Sequence, residues 1–404
     1  MVAFHFPPLA GSSGVQRTMR FAQSLPEFGW EPLVLTAHPR AYEQVAADLE
    51  KEIAPTLVVR RAQAWDSARH FAVRGRYPRL LACPDRWISW KFDAVRSGMA
   101  MIDQLRPAAL WSTYPIATAH VIGAELARRS GLPWIADFRD PMAQEGYPSD
   151  PRVHRAFVAI EQATASCAAA WTFTSPSAAR TYAGRYPQAA SRMHVIENGY
   201  DESSFAGVDG NARPALNEGA LTLLHSGIVY PSERDPSQLF AALGLLRQRS
   251  PALLQRLRLR FRGAVHEDLL RRLASEQGLT NQVEILPPIA YRDALDEMLR
   301  ADALLVLQAS NCNEQIPAKL YEYLRCGRPI VGLTDPAGDT AAALAGAGVN
   351  LMAPLDSAQG IATLLEQLLS GSMAVALPTS AAVEAASRRG RTAAFATLLD
   401  AVAG

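Results

Sequence analysis

The sequence predicts a doubly wound α/β fold, and predicts it twice over, in two domains. Short apolar runs alternate with amphipathic stretches of helical length along nearly all 404 residues. The runs are β-branched and apolar on both faces, as strands of a parallel sheet covered on two sides must be. The alternation pauses once, at the polar stretch "NGYDESSFAGVDGNARPALNEG", and then restarts. A chain of this length also exceeds what one hydrophobic core ordinarily serves.

The first strand is expected at Val2–Phe6, in "MVAFHF". A Gly/Ser turn, "PPLAGSSG", leads from it into a helix over Val15–Phe28 that Gly29 closes. Gly11 and Gly14 let the backbone approach a ligand, and the helix start offers unpaired N–H groups, which together make an anion site. A tight turn with no ligand accounts for the same residues. The spacing is neither GxGxxG nor GxxxxGK[ST], which argues against a dinucleotide fingerprint and a Walker loop.

Further strands are expected at Glu31–Thr36, Ala108–Ser112, Trp134–Phe138 and Ala170–Thr174, with helices at Ile88–Leu105 and Ala117–Ser130. Arg139 and Asp140 fall just past the fourth strand, on the carboxyl side where ligands of such sheets bind. They are candidates to approach a reacting group, or else form a buried pair that holds their loop. His120 lies in the first turn of a helix and is either a functional residue or a core histidine. His5 poses the same choice.

The pause, 198–219, is read as a linker between a first domain over 1–197 and a second over 220–378. In the second domain strands are expected at Leu221–Ser226, Arg258–Arg262, Val283–Leu286, Ala303–Leu307 and Pro329–Leu333. Helices are expected at Pro236–Arg249 and Asp356–Leu369, and a last one at Ala381–Val402 after the break at Ala376–Pro378.

Lysine and arginine number 40 against 39 aspartates and glutamates, so no global field points at nucleic acid. Locally, Arg69–Arg96 carries Arg69, Arg74, Arg76, Arg79, Arg86, Lys91 and Arg96 against Asp85 and Asp93. That segment reads either as a solvated basic face or as a contact for an anionic acceptor or a membrane surface. Cys83, Cys167, Cys312 and Cys326 are scattered without a CxxC, against a zinc site or a disulfide framework. No run reaches the roughly 18 apolar residues of a spanning helix. The expectation is a cytoplasmic protein with no cofactor, peripheral at most at the inner membrane face.

The stretch "NEQIPAKLYEYLRCGRPIV", Asn313–Val331, is the richest. Pro317 sits where proline suits a first helical turn, and Lys319 and Glu322, three apart, share a face. Glu322 lies roughly 9 Å along the helix axis from its start. An elongated ligand laid along this start would meet Glu314 with a sugar, Pro317 and Lys319 with a diphosphate, and Glu322 with a ribose. A helix with two solvated acids explains the same residues.

Five stretches, "FPPLAGSSGVQR", "WIADFRDPM", "VIENGYD", "SGIVYPSERDP" and "EQIPAKLYEYLRCGRPIV", give the chain a specific resemblance. It resembles the family 4 glycosyltransferases of bacterial surface-polysaccharide synthesis, and the stretches occur in family order across nearly the whole chain. The resemblance implies the GT-B fold, two Rossmann-like domains facing across a cleft, with the terminal helix 381–404 packing back on the first. It implies a nucleotide-sugar donor on the second domain and a glycan or lipid-linked acceptor on the first. Glu314 and Glu322 match the family's E-x7-E pair, the first facing the transferred sugar and the second the ribose. The loop at Arg139 and Asp140 is implied to approach the reacting sugar and acceptor. Retention of anomeric configuration is implied as well, with the leaving phosphate able to take the acceptor's proton.

The departing diphosphate gathers negative charge, which preorganised cations or a metal must stabilise. No Asp-x-Asp occurs, so the cationic route is expected, through Arg234, Lys319 and the backbone at Gly14. The sequence departs from the family where Gly227 is followed by Ile228 rather than arginine. Arg234 then takes the family lysine's place, and Lys319 is the candidate second cation.

Overall fold

The computed structural model describes all residues except 11–13, 73, 75, 78–81 and 209–213. The chain divides into two compact units, Met1–Glu197 with Arg388–Gly404, and Asn198–Ser387.

Unit 1 holds β1 (Leu33–Ala37), β2 (Val58–Ala62), β3 (Leu110–Thr113), β4 (Trp134–Arg139), β5 (Ala170–Phe173) and β6 (Met193–Val195). All pair in parallel, β2 with β1 and β3 through β6 in sequence order. Val2 joins the two groups by parallel bridges to Leu35 and Ser112. Its N–H donates to the Trp111 carbonyl at 2.7 Å, and its carbonyl accepts from Thr113 at 3.2 Å. The strand expected over Val2–Phe6 is therefore paired only at its beginning. The chain bends at Phe4–His5, where Phe4 turns in against Tyr42, Trp87 and Trp90.

The helices of this unit are α1 (Gly14–Ser24), α2 (Ser67–His70), α3 (Trp90–Leu105), α4 (Thr118–Ser130), α5 (Pro151–Cys167) and α6 (Pro176–Arg185). The last two open with an acceptor side chain and a first-turn proline. Asp150 accepts from the Arg152 N–H and Ser175 from that of Ala178. The main core packs Trp90, Trp134, Phe138 and Trp171 beneath α3 to α6, and a second cluster lies on the other sheet face, under α1.

Unit 2 holds α7 (Glu202–Phe205), β7 (Leu221–Ser226), α8 (Ser237–Arg249), α9 (Pro251–Gln255), β8 (Leu257–Arg262), α10 (Glu267–Glu276) and β9 (Val283–Leu286). There follow α11 (Tyr291–Arg300), β10 (Ala303–Gln308), α12 (Lys319–Cys326), β11 (Ile330–Thr334), α13 (Asp339–Gly346), β12 (Met352–Ala353) and α14 (Ala358–Ser370). The sheet runs β12-β11-β10-β7-β8-β9, all parallel. Central β10 is buried at every residue, whereas β8, nearer an edge, alternates. Its Leu257, Leu259 and Phe261 face the core, while Arg260 and Arg262 both pair with Glu297, at 3.0 and 2.7 Å. Strand order reverses between β7 and β10, so their carboxyl ends are the switch point at which doubly wound sheets bind ligands.

Two sequence expectations change here. The stretch 198–219 is not a free linker over its described residues, because Tyr200 and Phe205 bury themselves in the core of unit 2. The terminal helix is two helices, α15 (Ser380–Ala385) in unit 2 and α16 (Arg388–Ala403) in unit 1. Helical periodicity runs straight through the break. The Ala386 carbonyl instead accepts from the Tyr200 N–H at 3.1 Å, a bond that no local pattern encodes. α16 then packs Phe395 on Phe21 and Trp111, and Arg389 pairs with Glu27 at 2.6 Å.

Candidate functional site

β10 delivers the chain to a loop, 309–318, whose backbone is held from several sides. The Asn313 carbonyl accepts from the Asp339 N–H at 2.9 Å, and that of Gln315 accepts from Thr340 Oγ1 at 3.0 Å. The Asn313 amide donates to Asp335 at 2.7 Å, and the buried Gln308 amide donates to the Cys312 carbonyl at 3.1 Å. Glu314 stands exposed on this braced loop. Pro317 is buried and lies two residues ahead of α12 rather than inside its first turn. Its carbonyl accepts the Leu320 N–H at 2.9 Å, so the chain winds tightly into the helix.

Lys319, the first residue of α12, points back to the end of β7. Its Nζ lies 3.0 Å from Nε2 of His225. The other ring nitrogen of His225 is 3.0 Å from the Leu305 carbonyl on β10. A carbonyl only accepts, so Nδ1 carries the proton and Nε2 presents a lone pair to the lysine. Burial and the nearby Lys319 hold the His225 pKa well below its ordinary value, so the ring is neutral. Burial, with Arg234 next, pushes the Lys319 pKa down to about 7, against the opposing pull of Glu322.

Between these groups is Gly227, at φ +110°, where a side chain is strained. A Cβ there would also meet Lys319 Nζ at 3.1 Å. Arg234 is anchored one residue on, its Nη1 donating to the Ile228 carbonyl at 2.9 Å while its guanidinium lies over Tyr230. Its Nε is buried without a partner. Both cations thus hang from the end of one strand, beside the α12 start. Glu322, one turn further along α12, accepts from the Tyr291 hydroxyl at 2.6 Å. The structure therefore brings Arg234, Lys319, Pro317, Glu314 and Glu322 to one edge of unit 2. His225 and Tyr291 join them with no motif of their own in the sequence, and only the β7–β10 pairing and the α11–α12 packing reveal them.

In unit 1, Gly14 opens α1 beside His5 and Arg139. A Cβ at Gly14 would lie 2.3 Å from His5 Nδ1 and 2.7 Å from Arg139 Nη1, so only glycine fits. Burial, then the guanidinium of Arg139, lowers the His5 pKa to about 4. Arg139 adopts φ +55°, donates weakly to the Tyr114 carbonyl at 3.5 Å, and keeps a buried Nε without a partner. Asp140 is exposed. The buried Arg–Asp pair of this unit is a different one: Arg17 Nη2 and Nε meet Asp137 at 2.8 and 3.0 Å. Thr113 and Thr172 hydroxyls complete the Asp137 carboxylate, at 2.8 and 2.7 Å.

His120 is fully buried, tilted against Phe138 and hydrogen-bonded through Nδ1 with Ser112 Oγ at 2.8 Å. Burial pushes its pKa down to about 3. It is a core residue in this geometry, which removes it from the candidates for the acceptor side. In the Arg69–Arg96 segment, Arg79 lies outside the described residues. Arg86 pairs with Glu43, Arg96 pairs with Asp93 at 2.6 Å, and Arg69 donates to the Tyr42 carbonyl. Two of the segment's cations, Arg86 and Arg96, are thus matched by internal carboxylates. Among the described residues no His, Cys, Asp or Glu group is placed to hold a metal ion, and no helix is long and apolar enough to cross a membrane.

Residues 13–199 match the model of the glycosyl transferase 4-like domain, and 212–387 match that of the glycosyl transferases group 1. The structure is similar to that of Anabaena HepE in complex with UDP, at 16% identity and a TM-score of 0.61, covering 100% of this chain and 98% of that one. It is similar to sucrose-phosphate synthase from Thermosynechococcus elongatus, at 15% identity and a TM-score of 0.57, covering 99% and 94%. It is also similar to WaaG, a glycosyltransferase involved in lipopolysaccharide biosynthesis, at 14% identity and a TM-score of 0.54, covering 100% and 98%. At such identities the likeness is one of fold. No curated protein sequence matches the chain.

Proposed function

The chain belongs to the GT-B glycosyltransferases, and from that premise we propose that it moves a hexose from a nucleotide sugar to a glycan or lipid-linked acceptor, with retention of configuration. The setting proposed is cell-surface polysaccharide synthesis, on the cytoplasmic side. The observation that carries the reading is the convergence of Lys319, Arg234 and the α12 start between Glu314 and Glu322. Two cations beside a helix start suit a diphosphate. A carboxylate on either side suits hydroxyl-bearing groups at its two ends. HepE, whose structures hold UDP or UDP-glucose, supports a donor of this class.

In the proposed reaction the acceptor hydroxyl bonds to the sugar C1 as the C1–oxygen bond to the diphosphate breaks. The leaving phosphate oxygen takes the hydroxyl proton, and no protein carboxylate acts as general base. Lys319 and Arg234 offset the charge that gathers on the diphosphate, which makes a metal unnecessary. Glu314 faces the sugar, and Arg139 and Asp140 serve the acceptor side.

The test is a panel of nucleotide sugars incubated without added metal and followed for nucleoside diphosphate release. Release that Glu314→Gln abolishes while nucleoside diphosphate still binds supports the reading. Epimerised donor would make the protein an epimerase of the same fold, and absence of both binding and turnover would make it a non-catalytic scaffold.

A further inference from the structure

We propose that His225 is a positioning residue that aims the Lys319 ammonium at the donor diphosphate without drawing on its charge. The proposal rests on the donor-site reading above and extends it to a residue that touches no substrate.

The geometry is specific. His225 is wholly buried on β7, and its Nδ1–H bond to the Leu305 carbonyl of the neighbouring strand fixes both ring plane and tautomer. The Nε2 lone pair then lies toward Lys319 Nζ at 3.0 Å. A lysine stem has four rotatable bonds, and Glu322, three residues on, offers it a carboxylate on the same helix face. A lysine resting on that carboxylate would spend its charge there. His225 holds the ammonium with a neutral acceptor instead, which leaves the charge for an anionic ligand. A carboxylate in its place would hold the lysine as firmly and cancel it. The groups facing this pair are Lys319, Arg234, Glu322 and the backbone carbonyls of Leu305 and Ile228, the latter also bound by Arg234. With two cations near, the ring stays unprotonated. Gly227 favours the arrangement, since a Cβ there would press on Lys319 Nζ at 3.1 Å.

Two substitutions separate the roles. His225→Asn keeps a donor for the Leu305 carbonyl but removes the acceptor at the Nε2 position. His225→Gln reaches that position with an amide oxygen. Nucleoside diphosphate and nucleoside binding are measured by calorimetry for the wild type, both variants, Lys319→Ala, and His225→Asn combined with Lys319→Ala. Thermal melts report folding alongside. His225→Asn is expected to weaken diphosphate binding about tenfold, the size of one lost charge-assisted hydrogen bond. Nucleoside binding is expected to stay unchanged, His225→Gln to recover most of the loss, and His225→Asn to add nothing once Lys319 is alanine. An unchanged diphosphate affinity in His225→Asn, or an equal loss with and without Lys319, overturns the proposal alone. A wild type that binds no nucleoside diphosphate, or one whose binding ignores Lys319→Ala, overturns the donor-site reading and this role with it.

Discussion

The Tyr291 hydroxyl donates to Oε1 of Glu322 across 2.6 Å, linking the first residue of α11 to the first turn of α12. Burial and the adjacent carboxylate raise the phenol's pKa, so it remains a donor throughout the neutral range. The bond fixes the carboxylate that is proposed to take the ribose hydroxyls. Tyr291→Phe is therefore expected to weaken ribonucleoside diphosphate binding about five- to tenfold. Against the 2′-deoxy analogue the loss should shrink, because one of the hydroxyls is gone. Calorimetry with the two ligands checks this, and equal losses on both would remove Glu322 from the ribose.

Gly227 combines two demands, a left-handed backbone and contact with Lys319 Nζ, whereas Gly219, at φ +76°, has nothing within 4 Å. Alanine at either position costs about 1–2 kcal/mol in backbone strain, seen as a lowered Tm. Only Gly227→Ala is expected to weaken diphosphate binding as well, since only there does the new methyl displace the lysine. The paired melts and titrations decide whether Gly227 serves the site or merely the turn.

Both units were legible in the sequence because parallel strands buried on two faces leave unbroken apolar runs, as in "ALLVLQ" of β10. The donor edge was legible where its residues are close in sequence, from Glu314 to Glu322. It was illegible where partners come from strand pairing: His225 and Lys319 are 94 residues apart. Asp137 shows the same limit. Its neighbours "DFRDP" offered Arg139 and Asp140 as the natural pair, but the strand directs Asp137 inward and α1 supplies Arg17 across 120 residues. His120 looked available because it opens a helix, yet that helix turn faces the core. The break between α15 and α16 is where Tyr200 pairs with the Ala386–Ser387 backbone, and backbone bonds leave no mark in side-chain periodicity.

Lys319 makes donor binding sensitive to pH in a definite direction. In the free protein its pKa is lowered from 10.5 to about 7, chiefly by burial. A bound diphosphate favours the charged form and raises that pKa. Below pH 7 the lysine is already charged and affinity is at its plateau. Above pH 7 binding must also take up a proton, so affinity falls as pH rises, by up to about tenfold per unit. A nucleotide sugar is the proper probe, because each of its two phosphates has a single strongly acidic oxygen whose charge is constant over this range. Calorimetry at pH 8 in buffers of different ionisation heat should show proton uptake approaching one per site, and Lys319→Met should abolish it. The free protein follows the same sign. A lysine with a lowered pKa disfavours the fold while charged, and this is relieved as pH rises through about 7 toward 10.5.

Arg17 and Asp137 form the buried pair on which unit 1 turns. Arg17 also donates to the carbonyls of Ile196 and Glu197, at 2.9 and 3.1 Å, where the chain leaves this unit. Arg17→Met would leave a buried carboxylate without its cation and is expected to cost about 3–5 kcal/mol. Burial would raise the Asp137 pKa, but Arg17 and the Thr172 hydroxyl outweigh it and hold the carboxyl below the ordinary aspartate range. The stability this contributes is therefore complete above the unfolded aspartate value and lost as pH falls through the lowered one. Without Arg17 burial is less opposed and the pKa rises, so as pH falls the variant's Asp137 protonates first and its buried-charge penalty is relieved. All seven tryptophans (Trp30, Trp65, Trp87, Trp90, Trp111, Trp134 and Trp171) belong to unit 1, so tryptophan fluorescence follows its unfolding. Urea midpoints between pH 4 and 7 should separate Arg17→Met from the wild type most at pH 7 and progressively less toward the acid end. Arg17→Met combined with Asp137→Asn should flatten that pH dependence, because no buried charge then remains to be neutralised. A pH-independent difference between Arg17→Met and the wild type would show that Arg17 acts through packing alone.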